Sequence, residues 1–235
     1  MQTLEQPANC RNPFSSPLRM IARMSPAARA EFESLLHISN YPSGVAVFTE
    51  GEPATRFYLI LEGEIRVSIS SPEGKRLNLR IARKDDVLGL SSVLANGSYN
   101  ATAETIFPAR LAHVERAALR AFLAHQPSAY LAVAEELSRK VTTACEQLRT
   151  VALSHSAPEK LARLLLEWSE NGQTLGASDR IRFSMTHEQI GEFIGASRET
   201  VTRTLTTFKR RHLIQCEGSM LTILNRDALE SYSSV

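Results

Sequence analysis

Between Met185 and Arg211 the chain reads Met-Thr-His-Glu-Gln-Ile-Gly-Glu-Phe-Ile-Gly-Ala-Ser-Arg-Glu-Thr-Val-Thr-Arg-Thr-Leu-Thr-Thr-Phe-Lys-Arg-Arg, and few folds accept that order. Thr186 followed three residues later by Gln189 is a capping box, which starts a helix at 187. Ile190, Phe193 and Ile194 give that helix one apolar face. Gly195-Ala196 predicts a tight corner, because glycine accepts backbone angles that other residues resist. Ser197 caps a second helix, whose Val201, Leu205 and Phe208 face inward. The pattern is a helix–turn–helix, in which the start of the second helix is presented to the major groove of DNA.

The outward residues suit that task. Arg198 and Arg203 offer a fork that matches guanine O6 and N7, Glu199 can accept from the cytosine amino group, and Thr202 lies beside them. Thr186, Ser197 and Thr200 stand at helix starts, where hydroxyls and backbone N–H groups together bind phosphate oxygens. Lys209, at the far end, is a further phosphate contact. Residues 198–211 hold five Lys or Arg against one Asp or Glu, while residues 157–235 hold ten against ten, so the positive charge is focused on one helix. Leu213–Cys216 and Met220–Ile223, joined by Glu217-Gly218-Ser219, predict a hairpin wing.

The rest of the chain has two other textures. From Tyr41 to about Val114, apolar residues alternate as Phe57/Leu59/Leu61, Ile65/Val67/Ile69 and Leu77/Leu79/Ile81, broken by Glu50-Gly51-Glu52-Pro53, Glu62-Gly63-Glu64 and Ser71-Pro72-Glu73-Gly74. Period two with such turns predicts a jelly roll of short antiparallel strands, and Leu18–Ile38 before it reads as helix. Pro127–Leu153 lacks glycine and internal proline. Its Ala134, Leu137, Val141, Ala144, Leu148 and Val151 step by 3 and 4, the seam along which two helices pack. Ser154–Pro158 restarts the chain into a helix over Glu159–Glu170, with Leu161, Leu164, Leu165 and Trp168 on one face and Asn171-Gly172 at its end. A strand is expected over Ile181–Ser184. The fold class is therefore α+β, divided into an arm (1–17), a β-roll (18–126), a dimerisation helix (127–154) and a winged helix–turn–helix (155–235).

Composition narrows the function classes. Of 235 residues, Lys and Arg number 27 and Asp and Glu 25, a net charge of +2 that excludes a histone-like chain. No apolar run reaches membrane-spanning length, and polar, proline-punctuated residues 1–17 read as an arm rather than a signal peptide. Three cysteines, at 10, 145 and 216, show no paired spacing and fit a reducing cytoplasm. A cupin-type enzyme needs a His-x-His pair, and histidines at 37, 113, 125, 155, 187 and 212 contain none. A sensor module acting only through protein partners is the other rival, and Arg198, Glu199 and Arg203 argue against it.

From Leu18 onward the chain resembles the CRP/FNR family of bacterial transcription regulators. The resemblance is carried by Glu50-Gly51-Glu52, Tyr58-Leu-Ile-Leu-Glu-Gly63, Gly74-Lys75, the segment at Gly89, the long helix, Ile190-Gly191 and Ser197-Arg-Glu-Thr-Val-Thr-Arg203. It implies a β-roll sensor (a double-stranded β-helix), a parallel dimer helix, a two-fold symmetric DNA site and contact with RNA polymerase. It also implies that Arg198, Glu199 and Arg203 read TGTGA-type half-sites, with Thr202 where the nucleotide receptor has glycine.

The effector signatures depart from the family. Cyclic-nucleotide binders carry Gly-Glu-Leu for the ribose and, at fixed distance, Arg-Ser or Arg-Thr for the phosphate. This chain has Gly89-Leu90-Ser91 and Asn100-Ala101-Thr102 there, and Ala144-Cys145 where hydroxyls meet adenine. Leu90 cannot accept from a ribose hydroxyl and Asn100 cannot replace a charged fork, so cAMP is not expected to bind. An iron–sulfur cluster needs four cysteine ligands that three cannot supply. Cys145 reads as a small packed residue before a redox switch, and lone His37, His113 and His125 are not assigned a heme. No cofactor is predicted. Gly89, Leu90, Asn100, Ala101 and Cys145 mark the candidate effector pocket.

Overall fold

The computed structural model describes residues 19–153, 156–170, 180–182, 185–218 and 220–233. They divide into two compact units at Thr143/Ala144. The predicted arm, the turn at Asn171-Gly172 and Ser184 at the end of the expected strand lie outside the described residues.

The first unit is a β-roll. Strands β1 (His37–Tyr41), β2 (Ala46–Phe48), β3 (Arg56–Glu62), β4 (Ile65–Ser70), β5 (Arg76–Ala82), β6 (Val87–Leu88), β7 (Thr102–Thr105) and β8 (Ala109–Glu115) form two four-stranded sheets, ordered β1-β8-β3-β6 and β2-β7-β4-β5. Helices α1 (Arg19–Ala22), α2 (Pro26–Ser34), α3 (Leu90–Leu94), α4 (Arg116–His125) and α5 (Pro127–Leu153) accompany them. Both faces of β3 are buried from Phe57 to Leu61. Phe57 on one face meets Phe32 of α2, with ring centroids 6.2 Å apart, and Phe32 meets Phe122 of α4 at 5.4 Å. Tyr58 on the other face meets Phe48 of the second sheet at 5.7 Å. The alternation Phe57/Leu59/Leu61 thus describes only one of two apolar faces of a central strand.

Two expectations need correction. Leu18–Ile38 is not one helix. Ser25 caps α2, its hydroxyl accepting from the Ala28 N–H at 3.2 Å, with Pro26 in the first turn, so the chain breaks there. His37 and Ile38 then belong to β1, paired with His113 and Ala112 of β8. The set Leu77/Leu79/Ile81 does not share one face either. Ser68 pairs with Asn78 and Val67 with Arg80, leaving Leu79 as an extra residue. That bulge reverses the side-chain parity of β5 and buries Asn78, at 2% exposure, on the opposite side.

The second unit takes in the end of α5 from Ala144 and continues with α6 (Ala157–Glu170), β9 (Arg180–Arg182), α7 (His187–Ile194), α8 (Arg198–Arg210), β10 (Ile214–Glu217), β11 (Met220–Ile223) and α9 (Arg226–Ser233). Leu161, Leu165 and Trp168 of α6, Ile190 and Ile194 of α7, Val201, Leu205 and Phe208 of α8, and Leu229 of α9 are buried together as its core. Trp168 meets Phe193 edge-on at 5.6 Å, and Phe208 meets Tyr232 at 5.2 Å. The wing hairpin pairs Ile214 with Ile223 through Glu217 with Met220, and β9 adds a third strand on β11. No helix among the described residues is long and apolar enough to cross a membrane.

Candidate nucleic-acid interface

The start of α7 is fixed by reciprocal bonds. The Thr186 hydroxyl accepts from the Gln189 N–H at 3.2 Å, and the Gln189 side-chain oxygen accepts from the Thr186 N–H at 3.0 Å. Gly195 ends the helix with φ of 65°, the left-handed region that favours glycine. Gly191 serves a different purpose, since a Cβ there would lie 2.4 Å from the Ala196 carbonyl oxygen. The chain passes so close to α7 at the corner that only a hydrogen fits. Ser197 then caps α8, accepting from the Thr200 N–H at 3.3 Å. Two caps and a close corner set the angle at which α8 is offered.

On α8 the structure brings Arg198, Glu199, Thr202 and Arg203 together on one exposed face. Glu199 is held below the usual carboxylate range by its own backbone N–H, then by the Ser197 hydroxyl, with Arg198 and Arg203 adding to the effect. It is an ionised acceptor at neutral pH. Thr186 and Ser197 are exposed at their helix starts, and the Thr200 hydroxyl lies half-buried 3.1 Å from that of Ser197. Lys209 is exposed at the other end of the helix and lies near the Cys216 thiol of the wing, which burial pushes up while Lys209 draws it down. Arg211 instead leans on α9, bonded to the Tyr232 hydroxyl with its guanidinium 5.9 Å from the ring centroid.

Thr204, Thr206, Thr207 and His187, outside the predicted set, accompany Thr202 in the hydrogen bonding of α8. Thr202, Thr204, Thr206 and Thr207 each donate to the carbonyl four residues earlier, at 2.9, 2.8, 2.8 and 3.0 Å. His187, at the start of α7, lies with Nδ1 2.7 Å from the Thr202 hydroxyl. No periodicity or cap rule marks that histidine.

The roll-facing side of α5 carries Ala129, Ala132, Val133 and Glu136, all buried, and Glu136 pairs with Arg139 and with Lys140 at 3.6 Å. Burial, followed by the nearby Arg80, pushes the Lys140 amine down to about 8. The open side carries Tyr130, Leu131, Ala134, Val141, Ala144 and Cys145, with Leu131 and Val141 at 66% and 64% exposure. Leu137 departs from the expected stripe. It is half-buried against the core of its own roll, because the roll-facing side of the helix reaches as far round as this residue. The side chains of Leu148 and Val151 lie outside the described residues.

At the candidate effector pocket, Leu90 is buried in the roll core, Asn100 is exposed and Ala101 is half-buried. The Tyr99 ring lies against Gly89, where a Cβ would meet its Cε1 at 2.8 Å. Its hydroxyl donates to the Arg56 carbonyl at 2.6 Å, and its ring stacks on Phe48 at 4.0 Å. Burial, then Tyr99 and Tyr41, push the adjacent Tyr58 phenol far above its usual range, so this aromatic stack is neutral. No group of three or more metal-ligating side chains occurs among the described residues.

Known proteins share this arrangement. Residues 38–126 match the family profile of a cyclic nucleotide-binding domain, and residues 159–232 that of a Crp-like helix-turn-helix domain. A CRP-like cAMP-activated global transcriptional regulator of Mycobacterium tuberculosis is 30% identical over 207 residues, covering 88% of this chain and 92% of that one. The nitrogen fixation regulation protein FixK of Bradyrhizobium diazoefficiens is 29% identical over 205 residues, covering 87% and 85%. The solved structure of FixK2 from Bradyrhizobium japonicum has the same fold, with a TM-score of 0.75 at 21% identity over 85% of this chain and 98% of that one. A roll with a nucleotide-binding-type topology, followed by a capped and winged helix–turn–helix and matched along nearly its whole length by transcription regulators, leaves one assignment: the chain belongs to the CRP/FNR family of transcription regulators, with a helix–turn–helix DNA-binding domain.

Proposed function

We propose that the chain regulates transcription in the cytoplasm as a homodimer joined along the open face of α5, its two copies of α8 reading an inverted repeat resembling TGTGA and TCACA separated by about six base pairs. The four divisions 1–17, 18–126, 127–154 and 155–235 then act as arm, sensor, dimer helix and DNA reader, with RNA polymerase as a further partner. The observation that carries this reading is the exposed trio Arg198, Glu199 and Arg203 at the start of a helix whose angle is fixed by two caps. Arginine against guanine is the commonest specific pairing in the major groove, which supports guanine in each half-site.

Selection from a random duplex library tests it. TGTGA-type half-sites one helical turn apart are expected, and recovery of TTGAT half-sites or of no symmetric site would sink the assignment. Arg203→Ala should lose ~1–3 kcal/mol of discrimination at its guanine. Lys209→Ala should weaken binding to all sequences alike and make the dependence on salt shallower by about one phosphate contact.

The effector side of the reading differs from that of the cAMP-activated relative. Leu90, turned into the core, offers no acceptor to a ribose hydroxyl at the position of the expected acid, Tyr99 packs on Gly89, and Asn100 supplies no positive charge for a cyclic phosphate. A phosphate whose cationic partner is missing stays unpaired, at a cost of about 3 kcal/mol or more. Micromolar cAMP is therefore expected to leave both calorimetric heats and DNA affinity unchanged. Tight binding in the calorimeter would show that the pocket has been misplaced.

A further inference from the structure

We propose that Thr202 reads a thymine through its methyl group, because its hydroxyl is held by the Arg198 carbonyl and by His187, and that His187 is the positioning residue for this contact. The inference rests on the recognition-helix reading and adds to it the chemistry of one position. A threonine hydroxyl has one proton to give and two lone pairs to offer. Thr202 gives its proton to the Arg198 carbonyl at 2.9 Å. The 2.7 Å contact to His187 Nδ1 is then a bond in which the imidazole N–H donates and Thr202 accepts. Both bonds fix the rotamer.

Thr202 is four residues from Arg198, one turn along the same exposed face, and directly precedes Arg203. With its proton spent and one lone pair occupied, the group it has left to bring to a base edge is chiefly the methyl. In the major groove the apolar feature that distinguishes a base is the C5-methyl of thymine. Thr206, one turn further on, also donates its hydroxyl to a backbone carbonyl, at 2.8 Å to Thr202. Thr202 is the one whose hydroxyl is bonded to a side chain of the preceding helix, which ties the reader to the corner of the motif.

The test uses the full-length protein and the duplex it selects from a random library, with each thymine replaced in turn by deoxyuridine, which lacks only the methyl. One symmetric pair of positions should respond, with affinity falling about fourfold for one half-site and about fifteenfold for both, as burial of a single methyl group implies. Thr202→Val, which keeps the methyl and holds it by the single χ1 rotamer a β-branched side chain prefers in a helix rather than by the hydroxyl bonds, should retain this sensitivity. Thr202→Ser, which keeps the hydroxyl and loses the methyl, should abolish it. His187→Ala should at least halve the uracil effect, and His187→Asn, whose amide nitrogen takes the place of Nδ1, should restore it. A selected site indifferent to uracil, or sensitivity kept by Ser and lost by Val, would overturn this inference alone. Failure to select any site would overturn the recognition-helix reading together with it.

Discussion

Gly191→Ala is expected to destabilise the winged unit by about 3 kcal/mol and to remove sequence-specific DNA binding. The added Cβ would lie 2.4 Å from the Ala196 carbonyl oxygen. That atom belongs to the backbone of the corner, so relief requires α7 and α8 to move apart. The carbonyl oxygen of Gly191 also accepts from the Ala196 N–H at 3.0 Å, a bond that the same movement would stretch. Gly195→Ala offers a contrast. Nothing lies within 4 Å of its would-be Cβ, and only its φ of 65° is unfavourable, so a cost of about 1 kcal/mol is expected. Thermal unfolding followed by tryptophan fluorescence separates the two, because the single tryptophan, Trp168, is buried against Phe193 in this unit. Equal stability for the two variants would show that the corner is not closed by Gly191.

If the proposed dimer forms along α5, Val141→Asp is expected to convert it to monomer at micromolar concentration. Val141 is 64% exposed on the open face of α5, so the free chain should fold as before. In a parallel pair the two aspartates would face each other in an apolar seam, weakening association by about 3 kcal/mol, or roughly a hundredfold. An inverted repeat gains its affinity from engaging both half-sites at once, so operator binding should fall together with association, by up to the same factor. Sedimentation velocity measures the first effect and titration of the selected duplex the second. An unchanged dimer would place the interface elsewhere.

The parts of the interface legible from sequence are those decided within four residues. Thr186 with Gln189, and Ser197 with the helix behind it, act through bonds to nearby N–H groups, and the structure holds them as the sequence implies. Ser25-Pro26 is an equally local signal, a cap followed by a first-turn proline, and reading Leu18–Ile38 as one apolar helix passed over it. What was not legible depends on partners far along the chain. His37–Tyr41 becomes a strand through pairing with β8, about seventy residues away. The bulge at Leu79 is defined only by the register of β4, and no period in β5 announces it. On α5, steps of 3 and 4 are satisfied by overlapping stripes, and only the packing of Ala129, Val133 and Glu136 on the roll decides that Leu137 turns inward. His187 escaped because its partner lies across the corner, fifteen residues on.

The back-bonded threonines of α8 bear on whether DNA reading can be transplanted. With Thr200 at the first turn, Thr202, Thr204, Thr206 and Thr207 are poor helix formers, the five together costing about 3 kcal/mol against alanine, and the four hydroxyls folded onto carbonyls do not make up the difference. Thirteen residues is also the length at which even alanine-rich peptides are only marginally helical. The helix exists because Val201, Leu205 and Phe208 are anchored beneath it, so its specificity is a property of the whole winged unit. Residues 198–210 grafted onto a foreign scaffold carry the letters of the reading code without the conformation that gives them meaning, whereas exchange of the entire 155–235 segment keeps both.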